Sequence, residues 1–482
     1  ACRTNPLFIG DLTAEYNGTR GTFQGRTMSY HFKPCDRSQM LLLPPSLDEW
    51  LPQDHLARFI VDAVGQFDLS EFLAEYRSDG TGQAAFHPAP ILSLLLYWYC
   101  KGERSSRKIE SYCQDDVASR FIMANQQPDH SMFCRFRVWH QSAMAKVFVQ
   151  VLQLCDKAGL VKLGSVSLDG TKIKASAALD ANRKLDALEA EVTKMLAEAN
   201  AADEREDSLY GKGKRGDELP HELRDPKTRL KRLQECAARL KAEQEAARSA
   251  QQDKLDTRQK EESASGKQKR GRKPKLPDDV VDKEQKANTT DPQSRIMKTR
   301  SGYIQGYNAQ AVVTEAQIII AADVTNEEND QKQLKPMLKQ AQANMNAIGM
   351  VACIGAALVD AGYCSDENLK AEDEFGVDLY CATTKDWKQR QALRDAPAPR
   401  GRIPKHLSIK DRMERKLLTK EGRAMYKKRG KTVEPVFGQI KTVQDGGRCM
   451  RRGLEANRSE WRFTCSAHNL LKLWRSSRKP GK

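Results

Sequence analysis

Leu163-Gly-Ser-Val-Ser-Leu-Asp169-Gly-Thr-Lys-Ile-Lys174 decides how this chain is read. Its apolar residues alternate before an Asp-Gly pair, which predicts a strand running into an acidic turn. Ala356-Ala-Leu-Val359-Asp360-Ala-Gly362 repeats the design. Each is an apolar run of strand character, an aspartate, then a small residue or glycine. Adjacent strands of one sheet would set both carboxylates at the same edge. Two carboxylates there repel each other and favour a divalent cation. Hard oxygen ligands with open positions suit Mg²⁺ or Mn²⁺. An aspartate before glycine is more commonly a turn former, so neither motif decides alone.

Further strand-like runs lie at 304–313, 317–322, 354–359 and 378–382, with a helix expected near 331–347. Between the two aspartates sits a charged insertion. Leu185, Leu188, Val192 and Leu196 form one helical seam, and Leu223, Leu230, Leu233, Ala237 and Leu240 another. Together they predict an antiparallel helical hairpin, followed by a disordered polar stretch over 251–282. Gly211 to Gly216 matches G-x-G-x-x-G, but no strand precedes it and no βαβ unit surrounds it, so it is rejected as a nucleotide site.

Upstream, residues 44–160 read as helical. Leu56, Phe59, Ile60, Ala63, Val64 and Phe67 recur at helical spacing, and Pro88 to Cys100 is apolar nearly all round, as in a buried central helix. Arg104, Arg107, Lys108, Arg135 and Arg137 stand near predicted helix starts. That suits a helical DNA-binding domain, and equally an ordinary bundle with a wet basic face. The expected organisation is therefore a poorly ordered leader (1–43), a helical N-terminal DNA-binding domain (44–160), and an α/β catalytic domain of a mixed sheet flanked by helices (161–180 and 291–475). The last is interrupted by the hairpin insertion with its basic linker (181–290).

The chain has 482 residues, enough for about three domains, and its net charge is +16. The excess is local: residues 385–482 hold 28 Lys and Arg against 9 Asp and Glu, so the remainder is slightly acidic. Such asymmetry points to a polyanionic partner, first of all nucleic acid. The twelve cysteines form no C-x-x-C pair, and the eight histidines do not cluster with them, which argues against a zinc site and a disulfide framework. No apolar run approaches the ~18 residues of a membrane span, and no secretory leader is evident, so a cytoplasmic, nucleoid-associated protein is expected.

A third acid, Glu434, lies in Tyr426-Lys-Lys-Arg429-Gly-Lys-Thr-Val-Glu434-Pro-Val-Phe-Gly-Gln-Ile-Lys441. Val433, Phe437 and Ile440 mark a buried side, leaving Arg429, Glu434 and Lys441 free to lie toward the other. Here the chain resembles the insertion-sequence DDE transposases, which are RNase H-like and related to retroviral integrases. The resemblance runs from about Lys33 to Trp474. It is carried by Ser105-Ser-Arg-Lys-Ile-Glu110, Leu168-Asp-Gly-Thr-Lys172, Asn329-Asp-Gln331, Val359-Asp-Ala-Gly-Tyr363 and Val433 to Lys441. The last resembles the family's Tyr-x2-Arg-x3-Glu-x6-Lys signature, except that four residues separate Arg429 from Glu434.

The resemblance implies that Asp169, Asp360 and Glu434 hold two Mg²⁺ or Mn²⁺ ions about 4 Å apart. It implies in-line nicking at an element's terminal inverted repeats, then strand transfer into target DNA, with a homodimer in the synaptic complex. Tyr426, Arg429, Lys441 and Lys172 would position phosphates. Lys267 to Lys275 is strongly basic, and its Arg270-Gly271-Arg272 core resembles an AT-hook, with Lys273 departing from the usual core. The competing readings are a catalytically inactive DNA-binding derivative, an RNase H-like nuclease without strand transfer, and a coiled-coil scaffold.

Overall fold

A computed structural model describes residues 22–23, 26–27, 46–76, 84–210, 226–265, 274–280, 285–350, 353–384, 386–399, 401–404 and 406–478. Apart from residues 22–23 and 26–27, the leader falls outside them, as do the nucleotide-like glycines and the hook residues Arg270, Arg272 and Lys273. The chain divides into two units, Ala1–Trp50 and Leu51–Lys482. In the first, Thr22–Phe23 pairs antiparallel with Arg26–Thr27, and a short helix spans Leu47–Trp50.

The second unit opens with helices α1 (Leu56–Val64), α2 (Pro88–Lys101), α3 (Ser106–Asp115), α4 (Val117–Met123), α5 (His130–Trp139) and α6 (Gln141–Lys157). Pro88 sits at the first position of α2, where its missing N–H costs nothing, and Gly102 closes the helix in the left-handed conformation. Between them Ile91, Leu92, Leu94, Leu95 and Leu96 are wholly buried, as a helix apolar on all sides requires. Asp129 caps α5, accepting from Met132 N at 2.6 Å.

From the sequence the helical N-terminal segment is read as ending at residue 160. Residues 51–160 share one core with the sheet that follows, because α2 and α6 pack on the C-terminal helix.

Strand β1 (Ser165–Lys174) begins the sheet. The insertion leaves and returns through an antiparallel pair, Asn182–Lys184 with Lys286–Asn288. Its two helices, α7 (Leu185–Tyr210) and α8 (Pro226–Ser265), bury Leu188, Leu233, Cys236, Ala237 and Leu240 between them. Met195 packs on this cluster while Leu196 is exposed. The polar stretch expected to be disordered from residue 251 is instead helical to residue 265. Its Ala, Gln, Glu, Lys and Arg are strong helix formers and need no core.

The sheet continues with β2 (Arg295–Thr299), β3 (Gly302–Thr314), β4 (Ile319–Thr325), β5 (Ala356–Val359) and β6 (Asp378–Cys381). Its order is β6-β5-β1-β3. β4 and β2 pair with successive lengths of the far edge of β3. β1, β5 and β6 run parallel, and the β3 pairings are antiparallel. This mixed α/β arrangement is consistent with the expected RNase H-like class.

Helix α9 (Leu334–Ala347) follows β4, and α10 (Ile409–Leu418), α11 (Lys420–Lys427), α12 (Arg429–Thr442) and α13 (Leu454–Ser477) complete the unit. The outer edge of β4 is covered by side chains. Asn344 donates to Ile320 O, Arg462 to Ala322 O and Arg458 to Val324 O, while Asn469 bonds both polar backbone groups of Ile319. An edge so occupied cannot recruit another strand. Among the described residues no helix is long and apolar enough to cross a membrane.

Candidate active site

Leu168 pairs with Val359 in parallel register. Asp169 and Asp360 are therefore the next positions on neighbouring strands, which lie about 5 Å apart. The acidic turn expected after Leu168 does not form. Asp169 lies in the middle of β1, opposite Ala311, and the strand runs on to Lys174. Gly170 is there for clearance: a Cβ on it would stand 2.3 Å from Gln310 Nε2 and 2.4 Å from Asp330 Oδ1. Asp360 follows the last residue of β5, and its Oδ1 accepts from Gly362 N at 2.7 Å.

Helix α12 lies across β1. The hydroxyls of Thr432 and Ser167 bond directly, fixing the helix two residues short of Asp169. Pro435 inside α12 cannot donate to Lys431 O, and Gln317 Nε2 takes that carbonyl instead at 2.9 Å. Tyr426, near the end of α11, donates its hydroxyl to Val359 O at 3.2 Å, gripping β5 just before Asp360.

Arg429, the first residue of α12, reaches Asp169 Oδ2 with Nη2 at 2.6 Å and Glu434 Oε1 with Nη1 at 3.7 Å. One guanidinium thus spans two of the three predicted acids. Burial pushes the Asp169 carboxyl up to about 6. Arg429 opposes that rise, and Asp360 and Asp330 add to it by repulsion. Burial also works against the charge of Arg429, and Asp169, Tyr426 and Asp360 outweigh it, so its pKa is raised. The Asp169 side chain is 18% exposed and that of Glu434 64% exposed. Lys441 lies two turns beyond Glu434 on the same helix.

The donors suit a hard divalent cation: carboxylates alone, two on neighbouring strands and one on a facing helix. Among the described residues, however, no three His, Cys, Asp or Glu side chains stand ready around one metal position. The cationic partner of Asp169 here is Arg429. The set fits a cation once that guanidinium yields.

The other predicted residues divide. Arg107, Lys108 and Arg135 are exposed on α3 and α5, with Lys108 paired to Glu103 and Arg135 lying over the Trp139 ring. Arg104 and Arg137 are 3% and 7% exposed. Arg104 binds Glu460 at 3.0 Å and Arg448 O at 2.6 Å, and Arg137 binds Ser106 Oγ and Arg104 O. Arg104 joins the start of α3 to the C-terminal region, and Arg137 is tied within the helical segment itself, so both charges are buried away from a DNA surface. Lys172 extends from the strand face opposite Asp169 and lies 3.9 Å from Asp330. Asp330 was quoted only within a stretch that carries the resemblance and was given no role. Its signal, Asn329-Asp-Gln331, carries no periodicity, and only the fold brings it near the two aspartates.

Residues 280–470 match the family model described as Transposase DDE domain, which takes in Asp360, Tyr426, Arg429, Glu434 and Lys441 but not Asp169. Residues 45–139 match the model described as Transposase domain (DUF772). Neither a search of curated proteins nor one of solved structures gives a match. Two transposase models in tandem, over a mixed sheet with two aspartates side by side, identify the chain as an insertion-sequence DDE transposase.

Proposed function

We propose that this DNA transposase binds the terminal inverted repeats of an insertion sequence, nicks them in a metal-dependent reaction and joins the freed ends to target DNA. The observation that carries the reading is the adjacent register of Asp169 and Asp360, closed over by the helix that bears Arg429 and Glu434. Transposase DDE domains generally use divalent metals. Here Asp169, Asp360 and Glu434 would hold two ions, Mg²⁺ or Mn²⁺, in a site that also binds a polyanion.

Cations held there would supply activation of the attacking water or 3′-hydroxyl and charge stabilisation of the departing oxygen. Asp169 and Asp360, fixed by paired strands, keep the carboxylate oxygens in place with little reorganisation. Glu434, more exposed, completes the set from α12. Arg429 neutralises Asp169 and, when released, sits beside the scissile phosphate, with Lys441 further along the same helix. Tyr426 holds the end of β5 through Val359 O. Lys172, Arg107, Lys108 and Arg135 contribute charge to the DNA backbone, as would Arg270, Arg272 and Lys273 of the hook-like segment. Two copies pair in the synaptic complex.

The test is cleavage and strand transfer on duplexes carrying the repeats that flank the gene. The expected result is Mg²⁺-dependent nicking and joining, both lost in Asp169→Asn and Asp360→Asn. Undiminished cleavage by either variant, or by the wild type in excess EDTA, would overturn the reading.

A further inference from the structure

Two glycines accompany the catalytic aspartates, Gly170 directly after Asp169 and Gly362 two residues after Asp360. Both clear space for the same side chain. A Cβ on Gly170 would stand 2.4 Å from Asp330 Oδ1, and one on Gly362 would stand 3.3 Å from Asp330 Oδ2 and 2.8 Å from Asp360 Oδ1. The Asp330 carboxylate therefore lies between the two glycines, against both catalytic segments.

It is also firmly held. Asn308 Nδ2 and Gln310 Nε2 donate to its Oδ1 at 2.7 and 2.8 Å. Gln310 in turn accepts the hydroxyl of Tyr363, three residues after Asp360. Asn368 Nδ2 bonds both Gln331 O and Tyr363 O, which stitches the Asp330 segment to the Asp360 loop a second time. A second kind of observation points to a bound partner at this clearing. Asn308 is wholly buried, yet its Oδ1 has no hydrogen-bond partner, and it lies 3.0 Å from the Gly170 Cβ position. An acceptor oxygen left open beside a carboxylate suits a cation or its coordinated water. Lys172, 3.9 Å from Asp330, supplies only part of the compensating charge.

We propose that Asp330 is a positioning residue of the transposase site: a further carboxylate that sets the charge and orientation of the Asp169–Asp360 pair from the opposite face of β1. The proposal rests on the metal-dependent reading above. Asp330 acts through the glycine clearances and the Gln310–Tyr363 link, not by touching DNA. It raises the local negative potential that draws cations to the pair, as outer-shell partners of metal ligands do.

The experiment measures Mn²⁺ binding by electron paramagnetic resonance, and melting temperature, on the full chain. It compares wild type, Asp169→Asn, Asp330→Asn and Asp330→Glu. The expected result is Mn²⁺ affinity about tenfold weaker in Asp330→Asn, recovered to within a few-fold in Asp330→Glu, with both variants melting close to wild type. Wild-type affinity in Asp330→Asn would overturn the proposal. So would equal losses in the Asn and Glu variants accompanied by a lowered melting temperature, or an Asn variant that does not fold, since either makes Asp330 a merely structural residue. If wild type binds no Mn²⁺, or Asp169→Asn binds it unchanged, the underlying metal-site reading fails instead.

Discussion

The cluster around Arg104 and the cluster around Arg429 both set an arginine against carboxylates, and they do opposite things. In the first, Arg104 meets Glu460, the carbonyls of Asp445 and Arg448, and the side chain of Asp445 at 3.8 Å. Glu460 in turn accepts from Met450 N. In the second, Arg429 meets Asp169 and Glu434, with Asp360 and Asp330 close enough to raise the Asp169 carboxyl. In the first, the Arg104–Glu460 pair is buried on both sides, 3% and 5% exposed, and it clamps residues near α3 to α13. The second has more acids than bases and one acid largely exposed. A balanced buried pair is structural, whereas a surplus of carboxylate at a sheet edge is a demand for cations.

The sharpest way to break this contrast is Glu434→Gln. It keeps size and removes charge, and it is expected to reduce cleavage at least about 100-fold, beyond what outer-shell partners usually cost. Binding to the repeats and melting temperature should change little, because Glu434 is 64% exposed. Cleavage within a few-fold of wild type would take Glu434 out of the site.

The converse change, Glu460→Gln, strands Arg104 in the interior and should cost about 3–5 kcal/mol in urea unfolding. Cleavage per folded molecule should persist. Replacing both Arg104 and Glu460 by Met should return only part of the lost stability, because it removes the uncompensated charge but takes from Asp445 O, Arg448 O and Met450 N their partners.

His468, on the same helix as Glu460, sharpens the structural side through pH. Burial drives its pKa from the ordinary 6.5 down to about 3, while its Nε2 contacts Gln317 O at 3.1 Å. A depressed folded-state pKa means that its contribution is complete above pH 6.5 and fades as pH falls toward 3. Going from pH 7 to pH 5 should therefore cost up to about 2 kcal/mol through this residue. His468→Gln should flatten that part of the acid limb, and an unchanged slope would exclude it.

The smallest expected effect lies on the surface. Arg107→Ala and Arg135→Ala should each lower the salt slope of DNA binding by about 1 and leave stability unmoved.

What the sequence revealed follows the same contrast. The apolar alternation of β1 and β5, and the spacing of Val433, Phe437 and Ile440, made the two strands and the helix legible because burial leaves a periodic trace. Other features leave none. Asp169-Gly170 was read as a turn because clearance for a side chain 160 positions away has no local signature. Arg104 and Arg137 looked like surface bases because a buried partner such as Glu460 is distant in sequence. β2 was missed because Arg295 and Lys298 mask a short edge segment. Helix α8 was cut short because polarity was taken for disorder, although long helices need only propensity.

The strand pair at the base of the insertion, Asn182–Lys184 with Lys286–Asn288, has a kinetic consequence. Asp169 pairs with Ala311 about 140 residues along the chain. Bringing such distant partners together carries a loop-closure entropy that grows with the logarithm of the intervening length. If the hairpin zips locally first, the open loop between β1 and β3 shrinks to roughly 20 to 25 residues, easing closure by between one and two kcal/mol. A long insertion in mid-sheet would otherwise slow the search. Tied at its neck, it acts as a short splice, letting the two halves of the sheet find each other almost as quickly as a hairpin of ordinary length.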